Sequence, residues 1–202
     1  KWPDGKLIAY FQARTNTYAP VEELKKKFEP VLNYPNVIGL AIATRPDAIT
    51  EECLDYLEDL SKRTYLMVEL GLQTIHETTS KLINRCHTTK EFDEMVKKLR
   101  DRNINVIVHI INGLPYESKE MMLETAKHIN QLDIQGIKIH MLHIVKNTPL
   151  ATMYQKNPFH VLTRDEYVDI TIEQLEQLRP EIVIHRITGD PVREDLIAPT
   201  WL

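Results

Sequence analysis

A single acidic residue inside an apolar run is the first feature of this sequence with chemical significance. Residues 65–72 are predicted to form a buried parallel strand, because apolar side chains occupy both faces, yet Glu69 lies near the end of the run. Burying an ionised carboxylate costs several kcal/mol of free energy unless the group is hydrogen-bonded or paired. We therefore interpret Glu69 as part of a functional site. A salt bridge to a neighbouring strand is the alternative.

Two more polar residues follow in the same region. Gln73 shares strand parity with Glu69, and Gly71 between them leaves room for a ligand to approach the backbone. A carboxylate and a carboxamide on one face suit hydrogen bonds to ribose hydroxyls or to an amine. Arg85, in the segment NRCH, follows a short predicted helix that can return it to the same end of the strand. The alternative for Arg85 is an ordinary surface helix cap.

The segment VHIINGLPYES is predicted to end another strand with a turn. His109 and Ile111 share a face, and Gly113 begins the turn, whose free backbone groups can bind a planar ligand edge. The alternatives are an ordinary connection between strand and helix and a histidine satisfied within the core.

Strand-end histidines also raise a metal hypothesis. His109, His140, His143 and His185 would come from adjacent strands of a barrel. However, His140 and His143 would point to opposite faces if the predicted strand 136–143 runs through both, and no H-x-H or H-E-x-x-H pair is present. We therefore expect no metal site. A metal-dependent barrel hydrolase that uses these histidines is kept as the second hypothesis.

Composition places the chain among ordinary globular proteins. Its 202 residues are 43% hydrophobic and 27% charged, enough for one domain spanning 1–202. No apolar run approaches the ~18 residues of a spanning helix and no leader is recognisable, so we expect a cytoplasmic protein without membrane contact. A net charge of −4 neither indicates nor excludes nucleic acid. The chain lacks an initial methionine, which suggests a fragment of a longer protein.

Strand-like and helix-like segments alternate along the chain. Strands are predicted at 7–12, 37–43, 65–72, 105–112, 136–143 and 182–188. Helices are predicted at 20–32, 50–62, 74–83, 89–102, 118–131 and 164–178, with a short one at 149–156. This alternation predicts an α/β fold with a parallel sheet. No G-x-G-x-x-G motif supports a dinucleotide fold, and polar strand ends favour a partial barrel with a site at its carboxyl-terminal mouth.

Several segments together resemble one superfamily. The segments TRPD, ELGLQ and NRCH and the strand histidine His109 resemble elements of the radical S-adenosylmethionine (SAM) domain of the Elongator catalytic subunit. The stretches IAYFQARTNTYAP, GLPYES, HMLHIVKNTPLA and VIHRITGDPVREDLIAP resemble the bacterial YhcC/YtqA-type radical SAM family. The resemblance covers nearly the whole chain.

The resemblance implies a partial (β/α)6 TIM-like barrel whose first βα unit is absent from this chain. In the family, cysteines of that missing unit hold a [4Fe-4S] cluster that binds SAM, and one electron cleaves SAM to a 5′-deoxyadenosyl radical. The two cysteines of this chain cannot supply such a ligand set. An electron donor such as flavodoxin or ferredoxin is also implied.

Site residues follow from the same resemblance. In most of the superfamily a Gly-Gly-Glu-type turn after the second strand binds the amine of SAM; this chain departs from that pattern, and the amine contact is assigned to Gln12, Thr15 or Asn16. The other implied SAM contacts are Glu69, Gln73, Arg85, His109, Ile111 and Gly113. Polar candidates for the substrate side are Arg45, Asp47, His140, His143, His185 and Arg186. Single residues depart from related chains as well: Ala43 replaces a glutamate, and Cys86 and Tyr116 replace glycines, so the turn at Cys86 is expected to differ.

The leading hypothesis is that the full-length protein is a radical SAM, oxidoreductase-type enzyme. Its substrate is unidentified, with an RNA or a metabolite as candidates. The fragment alone is expected to be inactive because the cluster loop is missing. A non-catalytic scaffold barrel is a third hypothesis.

Overall fold

The structure is a computed structural model that describes residues 5–201. It has an α/β fold in which strands and helices alternate. The strands are β1 (Leu7–Phe11), β2 (Val37–Thr44), β3 (Tyr65–Gln73), β4 (Asn105–Asn112), β5 (Gly136–Met141), β6 (Ile144–Val145), β7 (Val183–Arg186) and β8 (Leu196–Ala198). The helices are α1 (Val21–Phe28), α2 (Glu51–Arg63), α3 (Glu77–Leu82), α4 (Thr89–Asp101), α5 (Lys119–Ile129), α6 (Pro149–Lys156) and α7 (Arg164–Gln177).

Six of the strands form one parallel sheet in the order β1-β2-β3-β4-β5-β7. Sequential strands are neighbours, as expected when each is joined to the next by a helical crossover. Strands β6 and β8 form a separate antiparallel pair. The predicted α/β class with a parallel sheet is confirmed.

Two compact units divide the chain. The first comprises the residues up to Gly71 with Lys90–Val108 and Asp133–Gln135, and the second comprises Leu72–Thr89, His109–Leu132 and the residues from Gly136 onward. The prediction of one domain over 1–202 stays a prediction.

The core of the first unit follows from strand parity. On β3, Leu66, Val68 and Leu70 are 2% exposed or less and share one face. On the opposite face, Met67 packs with Ala41 of β2 and Ile107 of β4. Both faces of the sheet are therefore covered near the middle of these strands, which explains the nearly continuous apolar sequence.

The second unit has two apolar clusters. One gathers Leu114, Leu142, Ile144, Phe159 and other side chains around the β6–β8 pair. The other joins Met141 of β5 to Met122 of α5 and to Tyr167 and Ile170 of α7. Helices α5 and α7 therefore cover the face of β5 toward which Met141 points.

Helix starts agree with the capping signals of the sequence. The Thr50 side chain accepts a hydrogen bond from the Cys53 N–H at 3.1 Å, and Thr163 forms a capping box with Glu166. Helix α1 is shorter than the predicted 20–32 because a 3₁₀ segment replaces its end at Glu29–Asn33, where Pro30 lies. Within residues 5–201, no helix is long and apolar enough to cross a membrane.

The largest error of the sequence prediction concerns the fifth strand. The predicted strand 136–143 ends at Met141, and the chain then forms the separate strand β6, which pairs with β8. Strand β8 was not predicted, because three residues carry too little periodicity to be recognised. Helix α3 also begins at Glu77 and not at residue 74.

The substitution Gly39→Ala tests how closely β2 and β3 approach each other. A Cβ atom at this position would lie 2.5 Å from the Tyr65 carbonyl oxygen, a backbone atom that cannot move without disturbing the ladder. We expect Gly39→Ala to lower the free energy of unfolding by about 2–3 kcal/mol, in the range of overpacking mutations. Denaturant titration measures this change. Ile38→Ala, at a half-exposed neighbouring position, is the control and should cost less; equal effects would contradict the close approach.

Candidate functional site

Glu69 is buried on the face of β3 that also carries Met67. Its exposed fraction is 2%, and the Tyr10 hydroxyl of β1 donates a hydrogen bond of 2.8 Å to its Oε2 atom. The Cα of Glu69 pairs with that of Ala43 on β2. Ala43 at this position contributes no carboxylate. The expected burial of Glu69 is confirmed, and it is held by a neutral donor at this oxygen.

The segment between β1 and α1 is attached to the end of β2 by buried polar side chains. Asn16 Nδ2 donates to the carbonyl oxygens of Phe11 and Ala43 at 2.9 and 2.8 Å, and its Oδ1 accepts from Lys27 at 2.6 Å. The Asn16 side chain thus forms its hydrogen bonds within the first unit, where it holds the loop after β1 in place. Gln12 is exposed and Thr15 is half-buried, so both remain accessible to a ligand.

The segment TRPD continues this attachment after β2. The hydroxyls of Thr44 and Thr17 lie 2.6 Å apart, and Thr17 also donates to the Ala48 carbonyl at 2.8 Å. Beyond Thr44, the Arg45 guanidinium contacts the carboxylate of Asp47, with Nε 2.9 Å from Oδ1. The substrate-side candidates Arg45 and Asp47 therefore form an ion pair with each other, which fixes the orientation of both.

Arg85 is buried within the second unit and holds backbone carbonyls. Its side chain is 2% exposed. Nη1 donates to the carbonyl oxygens of Leu72, at 3.0 Å, and of Thr74, while Nε donates to that of His87 at 2.8 Å. Leu72 and Thr74 flank Gln73, whose φ is +64°. Arg85 therefore clamps the left-handed turn that directs Gln73, a role that the sequence did not predict.

The two glycine replacements keep a glycine-like backbone. Cys86 has φ +70° and Tyr116 has φ +66°, both in the left-handed region that favours glycine. The expectation that this turn differs from that of related chains stays a prediction. Within this chain, the Arg85 N–H donates to the Ser80 carbonyl and Nε to that of His87, and together these bonds fix the backbone on both sides of the turn.

The end of β4 carries the predicted trio His109, Ile111 and Gly113. Gly113 has φ +83°, and a Cβ there would lie 3.1 Å from Leu162 Cδ1, so both conformation and space require glycine. His109 and Ile111 are half-buried and share one strand face, as expected. On the opposite face, Asn112 exchanges two hydrogen bonds with the buried amide of Gln174, at 2.8 and 2.9 Å.

His140 and His143 lie close together, contrary to the parity argument. Because β5 ends at Met141, the chain turns and brings both rings toward Gly189: a Cβ there would be 3.0 Å from His143 Cε1 and 3.7 Å from His140 Nδ1. The His140 ring centroid is 5.3 Å from that of His109. Burial, with His109, Arg186, Lys138 and His143 nearby, lowers the pKa of His140 to about 4.

Each of these two histidines has a buried ring nitrogen without a hydrogen-bond partner in the described part of the chain. The Nε2 atoms of His140 and His143 are buried and have no hydrogen-bond partner within the described chain. Each such atom costs about 1–3 kcal/mol relative to a satisfied one. Burial also lowers the pKa of His143, which Asp190 opposes. Among residues 5–201, no three His, Cys, Asp or Glu side chains are grouped as a metal site requires, so the hydrolase hypothesis gains no support.

The remaining predicted residues, His185 and Arg186, lie on β7 and are exposed. Arg186 pairs in register with Lys138 of β5, a residue that the sequence did not single out. Lys138 and His140 share strand parity, which could have identified it.

Polar residues that support the site were missed where their partners are distant in sequence. Tyr10 was read only as part of an apolar strand, although it donates to Glu69. Glu117 accepts a hydrogen bond of 2.6 Å from Thr74, and burial raises the pKa of Glu117 above its ordinary value. No local pattern marks such pairs.

The cysteines test whether this chain can ligate an iron-sulfur cluster. Cys53 is 2% exposed within α2, and burial raises its pKa to about 12, so it does not present a thiolate. Cys86 is exposed in the turn described above. A [4Fe-4S] cluster needs three or four thiolates, and two cysteines, one of them buried, cannot provide them.

Comparison with known proteins assigns the family. Residues 2–129 match the Radical SAM superfamily, and residues 134–202 match the Radical_SAM C-terminal domain. The chain belongs to the radical SAM superfamily. The family implies SAM and a [4Fe-4S] cluster as cofactors, and ligation of the cluster by residues outside this chain agrees with the cysteine inventory.

Individual proteins of the superfamily are similar to this chain over nearly its whole length. It is 55% identical to uncharacterized protein YtqA of Bacillus subtilis, over 100% of this chain and 62% of that protein. It is 34% identical to protein YhcC of Escherichia coli K12, over 97% of this chain and 64% of that protein. The chain thus spans less than two thirds of these relatives.

A solved structure supports the architecture. The archaeal Methanocaldococcus infernus Elp3 with an N-terminal deletion matches with a TM-score of 0.84 and 20% identity, over 96% of this chain and 50% of that one. At this identity the match concerns the fold alone. The fold is thus of the partial TIM-like barrel class found in radical SAM proteins, and the resemblance to the YhcC/YtqA-type and Elongator proteins is confirmed.

Arg85→Lys tests the clamp around Gln73. Lysine keeps the charge but cannot reach several carbonyl oxygens with a planar fork, so at least one buried acceptor loses its donor. We expect a loss of about 2–4 kcal/mol in the free energy of unfolding, measured by denaturant titration. Arg164→Lys, at an exposed arginine paired with Asp165, is the matched control. A loss no greater than the control's would mean that the carbonyl contacts do not stabilise the turn.

The lowered pKa of His140 predicts acid sensitivity. Its pKa is about 4 in the folded protein against an ordinary value of 6.5, so the unfolded chain binds more protons between these pH values. Stability should therefore fall as the pH decreases through this window, and His140→Asn should reduce that fall. Unfolding curves at several pH values measure it. The difference between the proteins at neutral pH gives the pH-independent cost of the substitution; parallel pH profiles would contradict the prediction.

Proposed function

We propose that this chain is the larger part of the core of a radical SAM enzyme, which binds SAM and, in the full-length protein, uses it to generate a 5′-deoxyadenosyl radical. The observation that carries this proposal is the family match over residues 2–129. Because the chain covers 62% of YtqA, the activity belongs to the longer protein and not to this segment alone. We expect the isolated segment to be inactive.

Glu69 supports this proposal from within the first unit. An ionised carboxylate can accept several hydrogen bonds, and Glu69 accepts one from the Tyr10 hydroxyl at its Oε2 atom. SAM offers ribose hydroxyls and an ammonium group, which are donors that suit a carboxylate. Gln12, Thr15 and Asn16 remain proposed contacts of the same cofactor, with Asn16 acting mainly by holding the loop that carries Gln12 and Thr15.

Further SAM contacts are proposed in the second unit. Gln73, His109, Ile111 and Gly113 would contact the ribose and adenine. Arg85, whose nitrogens are engaged by carbonyl oxygens, is proposed as a positioning residue for Gln73. The cluster, held by thiolates outside this chain, would supply the electron that cleaves SAM.

The reaction type and partners are proposals of the same kind. We propose an oxidoreductase-type enzyme that receives its electron from a flavodoxin- or ferredoxin-like donor and abstracts hydrogen from an RNA or a metabolite. Substrate contacts are proposed for Arg45, Asp47, His140, His143, His185 and Arg186. No observation favours the hydrolase or the scaffold hypothesis.

The test uses the full-length protein, purified and reconstituted anaerobically with iron and sulfide. We expect a cluster absorption spectrum and, after addition of SAM and a reductant, release of 5′-deoxyadenosine and methionine, measured by liquid chromatography. Glu69→Gln should lower the yield of 5′-deoxyadenosine about 10-fold or more, because loss of a charged acceptor weakens SAM binding by about 1.5–3 kcal/mol.

Cluster content separates the outcomes. Glu69→Gln should retain the wild-type iron content, and Glu23→Gln on the exposed face of α1 should retain both iron and yield. Absence of a cluster and of 5′-deoxyadenosine in the wild type would contradict the proposed function. An undiminished yield in Glu69→Gln would remove Glu69 from the cofactor site only.

A further inference from the structure

One face of β5 in the second unit carries only polar side chains. Ile137, Ile139 and Met141 are at most 4% exposed, and Met141 packs on helices α5 and α7. Lys138 and His140 have the opposite parity and therefore lie on the face away from these helices. Both are half-buried. Packing alone does not require a lysine and a histidine at alternate positions of an otherwise apolar strand, so this face is a candidate binding surface.

Neighbouring strands of the unit continue this face. On β7, Arg186 is the register partner of Lys138, so two cationic side chains stand side by side. On β4, the His109 ring lies 5.3 Å from that of His140. Both cations lie close enough to His140 to lower its pKa, so positive charge is concentrated at this point of the face.

The two loops that follow β5 and β7 add a second histidine and a glycine packed closely against it. His143 and His140 both approach Gly189, where a side chain would meet the His143 ring at 3.0 Å. The Nε2 atoms of both rings are buried without a hydrogen-bond partner among the described residues. A native structure rarely leaves two such atoms unsatisfied, and a bound ligand is one explanation.

We propose that Lys138, His140, His143 and Arg186 form the part of the substrate site that binds an oxyanion, a phosphate or carboxylate group of the substrate. This inference rests on the proposed function, and it narrows the substrate to a molecule with such a group. Arginine and lysine supply the charge, and imidazole N–H groups supply directed donors. A cation is disfavoured by the same two positive charges.

Proton uptake should accompany oxyanion binding. The charged or titratable groups that face the pair are His109 from β4, Lys138 from β5, Arg186 from β7 and Asp190 from the loop after β7. Burial and the positive groups hold His140 neutral, and Asp190 acts in the opposite direction on His143. A bound anion favours the protonated form of both rings, so binding should strengthen as the pH falls.

The experiment is a titration of the full-length protein with sulfate. The response is measured by NMR of histidine labelled at Cε1, and the resonance of His140 is assigned as the one that is missing in His140→Asn. Sulfate stands in for phosphate because its charge is constant over the histidine range of about pH 5 to 8. At constant ionic strength, we expect sulfate to raise the pKa of His140 by about one unit or more, and to bind more tightly at the acid end. Titration with acetate tests the carboxylate.

Variants decide whether the predicted residues form the site. Arg186→Gln should weaken sulfate binding about 10-fold, since a charge-assisted contact is lost. Arg164→Gln, which removes the same charge from an exposed position on α7, should leave the affinity unchanged. Gly189→Ala should also weaken binding, because its methyl group displaces the His143 ring.

Several outcomes would overturn the proposal. They are the absence of a His140 response to both anions, an equal loss of affinity in Arg186→Gln and Arg164→Gln, and an affinity that weakens toward acid pH. A response to acetate but not to sulfate would assign the site to carboxylates. Neither SAM nor a reduced cluster is needed for this titration, so its failure is distinguishable from failure of the proposed function.

Discussion

Burial of a parallel sheet beneath helices is the constraint on which the rest of this structure depends. Val68 and Leu70 of β3 and Ile137 and Ile139 of β5 are buried on one face of their strands, as this constraint requires. Glu69 in the first unit and His140 in the second each lie on the other face of their own strand. In each unit, a residue that departs from the apolar pattern of its strand therefore marks a candidate site.

Buried polar contacts then fix the segments that follow the strands. Tyr10 donates to Glu69, and Asn16 ties the loop after β1 to the end of β2. Arg85 plays the same part in the second unit, where its guanidinium holds the carbonyls on both sides of Gln73. A charged group that donates to several carbonyls is costly to replace, because each lost donor leaves a buried acceptor unsatisfied. These contacts explain why polar side chains are tolerated deep within an apolar sequence.

The second unit shows that unsatisfied groups are also informative. Asn112 and Gln174 satisfy each other on the covered face of the sheet, whereas the imidazoles of His140 and His143 keep buried nitrogens without such a partner. The two cysteines, by contrast, are explained without a cofactor: Cys53 is core, and Cys86 occupies a left-handed turn. Membership of the radical SAM superfamily implies a cofactor site, and the proposed oxyanion site concerns the molecule on which the cofactor would act.

The sequence by itself determined the α/β class, most element boundaries, the family and the unusual position of Glu69, because strand parity, capping residues and short motifs are local in the chain. Thr50 and Thr163 cap helices as predicted, and β4 has its predicted bounds. Only the tertiary structure decided that Tyr10 donates to Glu69, that Arg85 clamps Gln73, and that His140 and His143 converge on Gly189. These contacts join residues on different strands or loops, and the pairing of β6 with β8, which ends β5 early, is set by partners more than fifty residues apart, a distance over which sequence periodicity carries no information.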